Sequence, residues 1–243
     1  MKILVTNDDG IQAEGLKTLV EFAKTLGEVT VCAPTRQQSA KSHAINVHDP
    51  FEIKIVDYCD GVTAYSVNST PVDCVRFGMI GLNAEYDLVL SGVNNGYNIG
   101  EDILYSGTVG CVFEAALHNT RAIAFSTEHG NSGKVLQYVK QAYKYICDNR
   151  LFDYCLAYNV NIPEVVSGDI RITKQGGAYF TDEFIKVDEH RFDQRGYCVY
   201  RYGQDLTLDT DATMNGYISV TPLTVKRDDE KAYERIINKK RNE

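Results

Sequence analysis

Asp8 and Asp9 stand side by side where the first apolar run of the chain, Ile3-Leu4-Val5, gives out, and Gly10 follows them. Inside a strand, neighbouring side chains point to opposite faces, so two carboxylates could not share a target. At a strand end, with a glycine to turn the chain, both can reach one cation, and paired carboxylates suit a hard divalent ion such as Mg²⁺ or Mn²⁺. The competing reading is that one of them caps the following helix. A second polar loop, Pro34-Thr35-Arg36-Gln37-Gln38-Ser39-Ala40-Lys41-Ser42, also follows an apolar run. Ser39 could add a neutral oxygen ligand there, although a plain loop serine is the simpler reading. The third region is Ser91-Gly92-Val93-Asn94-Asn95-Gly96-Tyr97-Asn98-Ile99-Gly100, with Tyr105-Ser106-Gly107-Thr108-Val109-Gly110 five residues on. Glycines let successive backbone N–H groups turn towards one anion. Ser106 and Thr108 add hydroxyls where a helix begins, which makes a phosphate site. The spacing matches neither the Walker loop nor the dinucleotide fingerprint, so neither ATP hydrolysis nor hydride transfer is signalled.

Two other constellations carry less. Asp209-Thr210-Asp211-Ala212-Thr213 imitates an aspartyl-nucleophile signature, but it comes near the end of the chain rather than after an early core strand. His43 and His48 are poorly spaced for a helical zinc pair and have no thiol near them in sequence.

The elements that must position these residues alternate. Val29-Thr30-Val31-Cys32-Ala33 is a second strand, and Leu16, Leu19, Val20, Ala23 and Leu26 mark a helix between it and the first, stopped by Gly27. Strand, helix, strand implies a parallel βαβ unit. Residues 44–67 alternate in period two and predict antiparallel strands. Pro71 opens a short helix to Met79; Leu88-Val89-Leu90 and Ala122-Ile123-Ala124-Phe125 predict buried strands, and 109–117 and 133–147 predict helices. The fold class expected is α/β: a doubly wound, mostly parallel, Rossmann-like sheet with a C-terminal β-rich extension and a terminal charged helix from about Asp228. Its ligands should gather beyond the carboxyl ends of the strands. One domain is expected over 1–243, with an α/β core over 1–150. Strands are expected at 169–173 and 217–220. Residues 177–212, polar and aromatic with weak periodicity, read as disordered or as an arm that holds to a second subunit.

Composition narrows the partners. A net charge of −8 over 243 residues supplies no basic surplus for a nucleic-acid duplex. A small phosphorylated substrate remains compatible, because one metal ion reverses a local field. No apolar run is long enough to span a membrane, and Asp8 arrives too soon after Met1 for a signal peptide. The seven cysteines contain no Cys-x-x-Cys pair and read as buried free thiols of a reducing cytoplasm.

The quoted motifs together resemble the SurE survival-protein family of 5′/3′-nucleotidases. The similarity runs from Asn7-Asp8-Asp9-Gly10 through Ala33-Pro34 to Ser39. It continues over Thr70-Pro71-Val72-Asp73-Cys74-Val75 and the signature from Ser91 to Gly110, and closes on Gly216-Tyr217-Ile218-Ser219-Val220-Thr221-Pro222-Leu223. The resemblance implies that Asp8, Asp9, Ser39 and Asn94 bind one divalent cation, and that Asn98 and Ser106-Gly107-Thr108 lie at the phosphate. It implies hydrolysis of nucleoside monophosphates, with Asp8 and Asn98 as catalytic residues. A homodimer or homotetramer joined through the C-terminal part is also implied. The sequence departs from the family at Ala40, Ser69 and Ala115, where glycines are usual. A nucleotide-binding regulator that has lost turnover is the rival reading.

Overall fold

The computed structural model describes residues 1–241, and its elements follow from where apolar runs meet breakers. β1 (Lys2–Thr6) is buried from Ile3 onward, and α1 (Glu14–Lys24) turns Leu16, Leu19, Val20 and Ala23 inward. β2 (Glu28–Pro34) pairs parallel with β1. β3 (Ile53–Val56) and β4 (Val62–Val67) are antiparallel to each other, as their alternation implies, while β4 also lies parallel to β2. The stretch before them, 44–52, forms no strand. α2 (Pro71–Arg76) is capped by the Thr70 hydroxyl, with Pro71 where a proline ring costs no helical bond. A π-helical turn, Phe77–Gly81, continues it. β5 (Leu88–Asn95) outlasts its apolar run by five residues, because a register shift after Ser91 lets Asn94 and Asn95 rejoin the ladder. A 3₁₀ turn (Gly100–Leu104), α3 (Gly107–Leu117), β6 (Arg121–Thr127) and α4 (Leu136–Asp148) follow.

β7 (Ala157–Ile162) was not expected from the sequence. It is fully buried, yet Asn159 and Asn161 occupy every second position, and asparagine is depleted in strands. β8 (Ile170–Ile172), β9 (Phe180–Lys186), β10 (Phe192–Cys198), α5 (Asp209–Met214), β11 (Ile218–Leu223) and α6 (Glu230–Arg241) complete the chain. The main sheet runs β3-β4-β2-β1-β5-β6-β7-β11-β8. The six strands from β4 to β7 are parallel, and antiparallel partners lie at both sides. The sheet therefore continues past position 150. α1 and α4 cover one face through Leu19, Phe22, Val139 and Ile146; α2 and α3 cover the other through Cys74, Val75, Val109 and Val112. This is the doubly wound α/β architecture.

Three expectations need correction. Residues 177–212 are not one irregular arm: β9 and β10 form a separate two-stranded hairpin, and Asp209, Thr210 and Ala212 are buried in α5. The helix placed at 133–147 begins at Leu136. Of the seven thiols, all free, only Cys32, Cys74 and Cys111 are buried, whereas Cys59, Cys147 and Cys198 are exposed. None of the helices among the described residues is long and apolar enough to cross a membrane.

Candidate active site

The strand order reverses at β1, with β2 on one side and β5 on the other, and open α/β sheets bind ligands at such a switch point. Asp8 and Asp9 sit at that position, just beyond Thr6. Neither caps α1, whose N-cap is Ala13 without a side-chain bond. Asn7 shapes the turn instead: its amide donates to Gly10 O at 3.0 Å and its oxygen accepts from Gly10 N at 3.2 Å. Gly10 itself has φ 102, a conformation that other residues rarely adopt.

Backbone bonds draw the loops together. Gln38 N donates to Asp8 O at 2.8 Å, and Ser42 N to Tyr105 O at 2.9 Å, so the loop bearing Ser39 is held between the β1 turn and the amino end of α3. Asn95 N donates to Asp9 Oδ2 at 3.0 Å. Gln37 Nε2 donates to both Asp9 Oδ1 (3.3 Å) and Ser39 Oγ (3.0 Å). One donor thus sits between two oxygens that the sequence places around a cation. Asn94 spends its amide nitrogen on Gly96 O at 2.8 Å, which keeps its oxygen available. Ala40 takes φ 56, so the residue standing in place of the usual glycine keeps a left-handed conformation that costs alanine about 1–2 kcal/mol.

On the other side of Asp8 lies α3. Ser106 caps the helix by accepting from Val109 N at 3.1 Å. Gly107 is required there, since a Cβ would stand 2.9 Å from Asp8 Cβ and 3.0 Å from Asp8 Oδ2. The Thr108 hydroxyl donates to Asp8 Oδ1. Its proton is therefore committed to the carboxylate rather than to a phosphate. What the turn offers an anion is the Ser106 O–H and the first N–H groups of the helix. Asp8 is 6 % exposed; burial pushes its carboxyl up to about 6, against the Thr108 hydrogen bond and with the help of the neighbouring Asp9 charge. Asp9 is also raised, by burial first, although Asn95 N–H and His129 oppose it. Among the described residues no ion pair involves either carboxylate. Two adjacent carboxylates, one buried and one half-buried, are an unfavourable arrangement that a divalent ion would relieve, and the surrounding donors are hard oxygens.

Asn98 lies deeper. Its amide nitrogen donates to Ser126 Oγ at 2.8 Å. Its backbone is clamped by β7: Asn98 N donates to Asn161 Oδ1 (2.9 Å), and Asn159 and Asn161 both donate to Asn98 O (2.7 and 2.9 Å). Asn159 Oδ1 is left without a partner among the described residues, a deficit of about 1–3 kcal/mol that the fold tolerates. Asn7, Asn95, Asn159 and Asn161 were missed as site-shaping residues; the alternation of asparagine with apolar residues in 157–162 was the signal for the last two.

The other constellations are structural. Asp209 accepts from Gly100 N at 3.1 Å and Gly176 N at 2.8 Å, so it ties two loops and has no nucleophilic role to play. His43 joins Arg76 and His118 around Glu114 at 2.9, 2.6 and 3.2 Å, while His48 lies on an exposed loop.

Comparison with known proteins identifies the family. Residues 3–182 match the family model described as Survival protein SurE. A 5′-nucleotidase SurE of Thermoanaerobacter sp. is 37% identical over 236 residues, 92% of each chain. One of Pelotomaculum thermopropionicum is 36% identical, covering 97% of this chain and 94% of its own. The crystal structure of Sure protein from Aquifex aeolicus superposes with a TM-score of 0.80 at 30% identity, over 97% of this chain and 98% of that one. A match over most of the length, in both sequence and fold, makes this chain a member of the survival protein SurE family.

Proposed function

We propose that this chain is a divalent-cation-dependent phosphomonoesterase that hydrolyses nucleoside 5′-monophosphates, and 3′-monophosphates as a second class, to nucleoside and inorganic phosphate. The observation that carries the reading is the adjacent Asp8–Asp9 pair, in no ion pair among the described residues, with the buried Asp8 against the amino end of α3. The substrate class comes from the relatives, which are named 5′-nucleotidases. Asp8, Asp9, Ser39 Oγ and Asn94 Oδ1 would hold one Mg²⁺ or Mn²⁺. When bound, that ion supplies Lewis-acid polarisation of the phosphoryl group and of the attacking water. The α3 amino end holds the charge that develops on the phosphoryl oxygens. Asp8 Oδ1 is engaged by Thr108, so Oδ2, which faces Gly107, is the atom to take a proton from the attacking water. The second N–H of the Asn98 amide, beside the one given to Ser126, remains for substrate.

The same reading includes self-association. The hairpin pairs Phe184 with Gln194, Phe180 with Cys198 and Lys186 with Phe192, so three phenylalanines share one face. They are exposed by 48 to 69 %. An apolar face of this kind is normally covered, and a second copy in a symmetric dimer or tetramer is the proposed cover. Seven free thiols support a reducing compartment such as the cytoplasm. Phosphate release from a nucleoside 5′-monophosphate, with and without EDTA, separates an enzyme from a nucleotide-binding regulator, which would bind the nucleotide and release nothing.

A further inference from the structure

A cleft of about 550 Å³ opens on the Asp9 side of the site, away from α3. Its lining includes Asp9, Glu14, Gln37, Asn95, Ser132 and Lys134. Its volume falls within the roughly 300–1,000 Å³ of small-molecule sites. Of the other clefts, one of about 200 Å³ beside Tyr97 is too small by that measure. Another of about 390 Å³ beside Phe113 and Arg227 includes none of the candidate site residues.

One wall of the cleft is built onto the site itself. Asn95 N–H binds Asp9 Oδ2 at 3.0 Å, and Asn95 Oδ1 accepts from Gly130 N at 2.7 Å, so a single residue latches the 128–135 loop to a candidate ligand. The opposite wall is the start of α1. Gly15 lies so close to β5 that a Cβ would stand 1.9 Å from Val93 O, which fixes the floor between the walls.

We infer that this cleft holds the ribose and base of the substrate, with Asn95 and Lys134 as its affinity-determining residues. The inference rests on the phosphatase reading above: with the phosphoryl group at Asp8 and the α3 amino end, the cleft bordering Asp9 is the adjoining space in which the esterified group fits. The lining is rich in hydroxyl, amide and charged groups, which suit ribose hydroxyls. No aromatic ring lines it, so the base has no stacking platform. Recognition here should favour a nucleoside over a simple alkyl or aryl group and discriminate weakly among bases. Lys134 is exposed and forms none of the ion pairs among the described residues, which leaves its three donors for base or ribose acceptors.

Gly133 permits a direct test. A Cβ there would meet Glu14 Cβ at 3.5 Å, an ordinary contact, so a larger side chain enters the cleft without a backbone clash. Gly133→Phe and Lys134→Ala are compared with wild type on a nucleoside 5′-monophosphate and on 4-nitrophenyl phosphate, whose leaving group is one ring. Binding of the free nucleoside is followed by ligand-observed NMR. The ratio of kcat/KM, nucleotide over aryl phosphate, should fall at least tenfold in Gly133→Phe and several-fold in Lys134→Ala, and both should weaken nucleoside binding. Unchanged ratios and unchanged nucleoside binding in both variants would overturn the assignment. A wild type that binds nucleoside in a Gly133-sensitive way yet releases no phosphate would keep the cleft and sink the phosphatase reading instead.

Discussion

Gly107→Ala adds one methyl group where α3 meets Asp8. The new Cβ would lie 2.9 Å from Asp8 Cβ and 3.0 Å from both Asp8 Oδ2 and Pro71 Cγ. Carbon atoms in ordinary contact stand about 3.5–4.0 Å apart, so the helix or the β1 turn must yield by at least ~0.6 Å. Overpacking of this size costs about 1–3 kcal/mol, and alanine returns up to about 0.5–1 kcal/mol as the better helix former. At about 2–4 °C per kcal/mol for a chain of this length, Tm should drop by a few degrees only. Activity should suffer far more, because the displaced groups are Asp8 and the N–H donors of the turn, and a misplacement of about 1 Å can cost on the order of a hundredfold. A ten- to hundredfold loss in kcat/KM is expected by phosphate release, with Tm followed by circular dichroism. Gly177→Ala serves as control, since a Cβ there meets nothing within 4 Å. Wild-type kcat/KM in Gly107→Ala would refute the contact between α3 and Asp8 as a determinant of catalysis.

Asn161→Ala removes an acceptor and a donor from the Asn98 backbone, and should lower kcat/KM by roughly ten- to a hundredfold, following the same positional argument. Val160→Ala, on the opposite face of β7, should cost comparable Tm with little loss of activity; equal activity losses would reduce the clamp to a matter of stability. Burial alone would raise the Glu114 carboxyl, but hydrogen bonds from His43 and Arg76 and the Arg76 charge outweigh it and hold the group at about 2. A depressed carboxylate contributes stability that is present above its unfolded pKa and lost as pH falls through the folded value. The unfolding free energy of the wild type, from urea titrations, should therefore fall between pH 4.5 and 2 by on the order of 2–3 kcal/mol, and Glu114→Gln should lack that slope. Identical pH profiles would contradict the network. The hairpin can be excised cleanly, because Val199 N bonds Tyr179 O at 2.9 Å and the cut ends are adjacent. Replacing 180–198 by a short Gly-Ser turn should bring the mass seen by light scattering down to a monomer; a monomeric wild type at micromolar concentration would remove the oligomer from the account.

The parallel half of the fold was legible because its strands are continuous apolar runs and its helices carry a clear apolar stripe, as in α1. β7 was not, since asparagines that clamp Asn98 alternate with its core residues, and a propensity reading takes them for a loop. The hairpin escaped for the opposite reason: β9 and β10 have no core side, so their aromatics face outward and show no buried period. At the site, residue types and the order of loops were readable from the sequence. The partners were not. Thr108 facing Asp8, Gln37 bridging Asp9 and Ser39, and Asn95 tying Asp9 to Gly130 all join residues distant in sequence. Only the parallel pairing of β1 with β5 at the sheet centre brings them together.

The central claim is that Asp8 and Asp9 hold one divalent cation on which phosphate release depends. Phosphate release from a nucleoside 5′-monophosphate should be measured for wild type, Asp8→Asn and Asp9→Asn, each with EDTA and after restoring Mn²⁺ or Mg²⁺, with Tm recorded in parallel. Wild type should lose activity in EDTA and regain it with metal, and its Tm should rise with metal concentration, because a ligand that binds only the folded state stabilises it. Both variants should remain folded, lose most activity and show little metal-dependent change in Tm. Wild-type turnover that persists in EDTA, or near wild-type rates with an undiminished metal response in both variants, would contradict it.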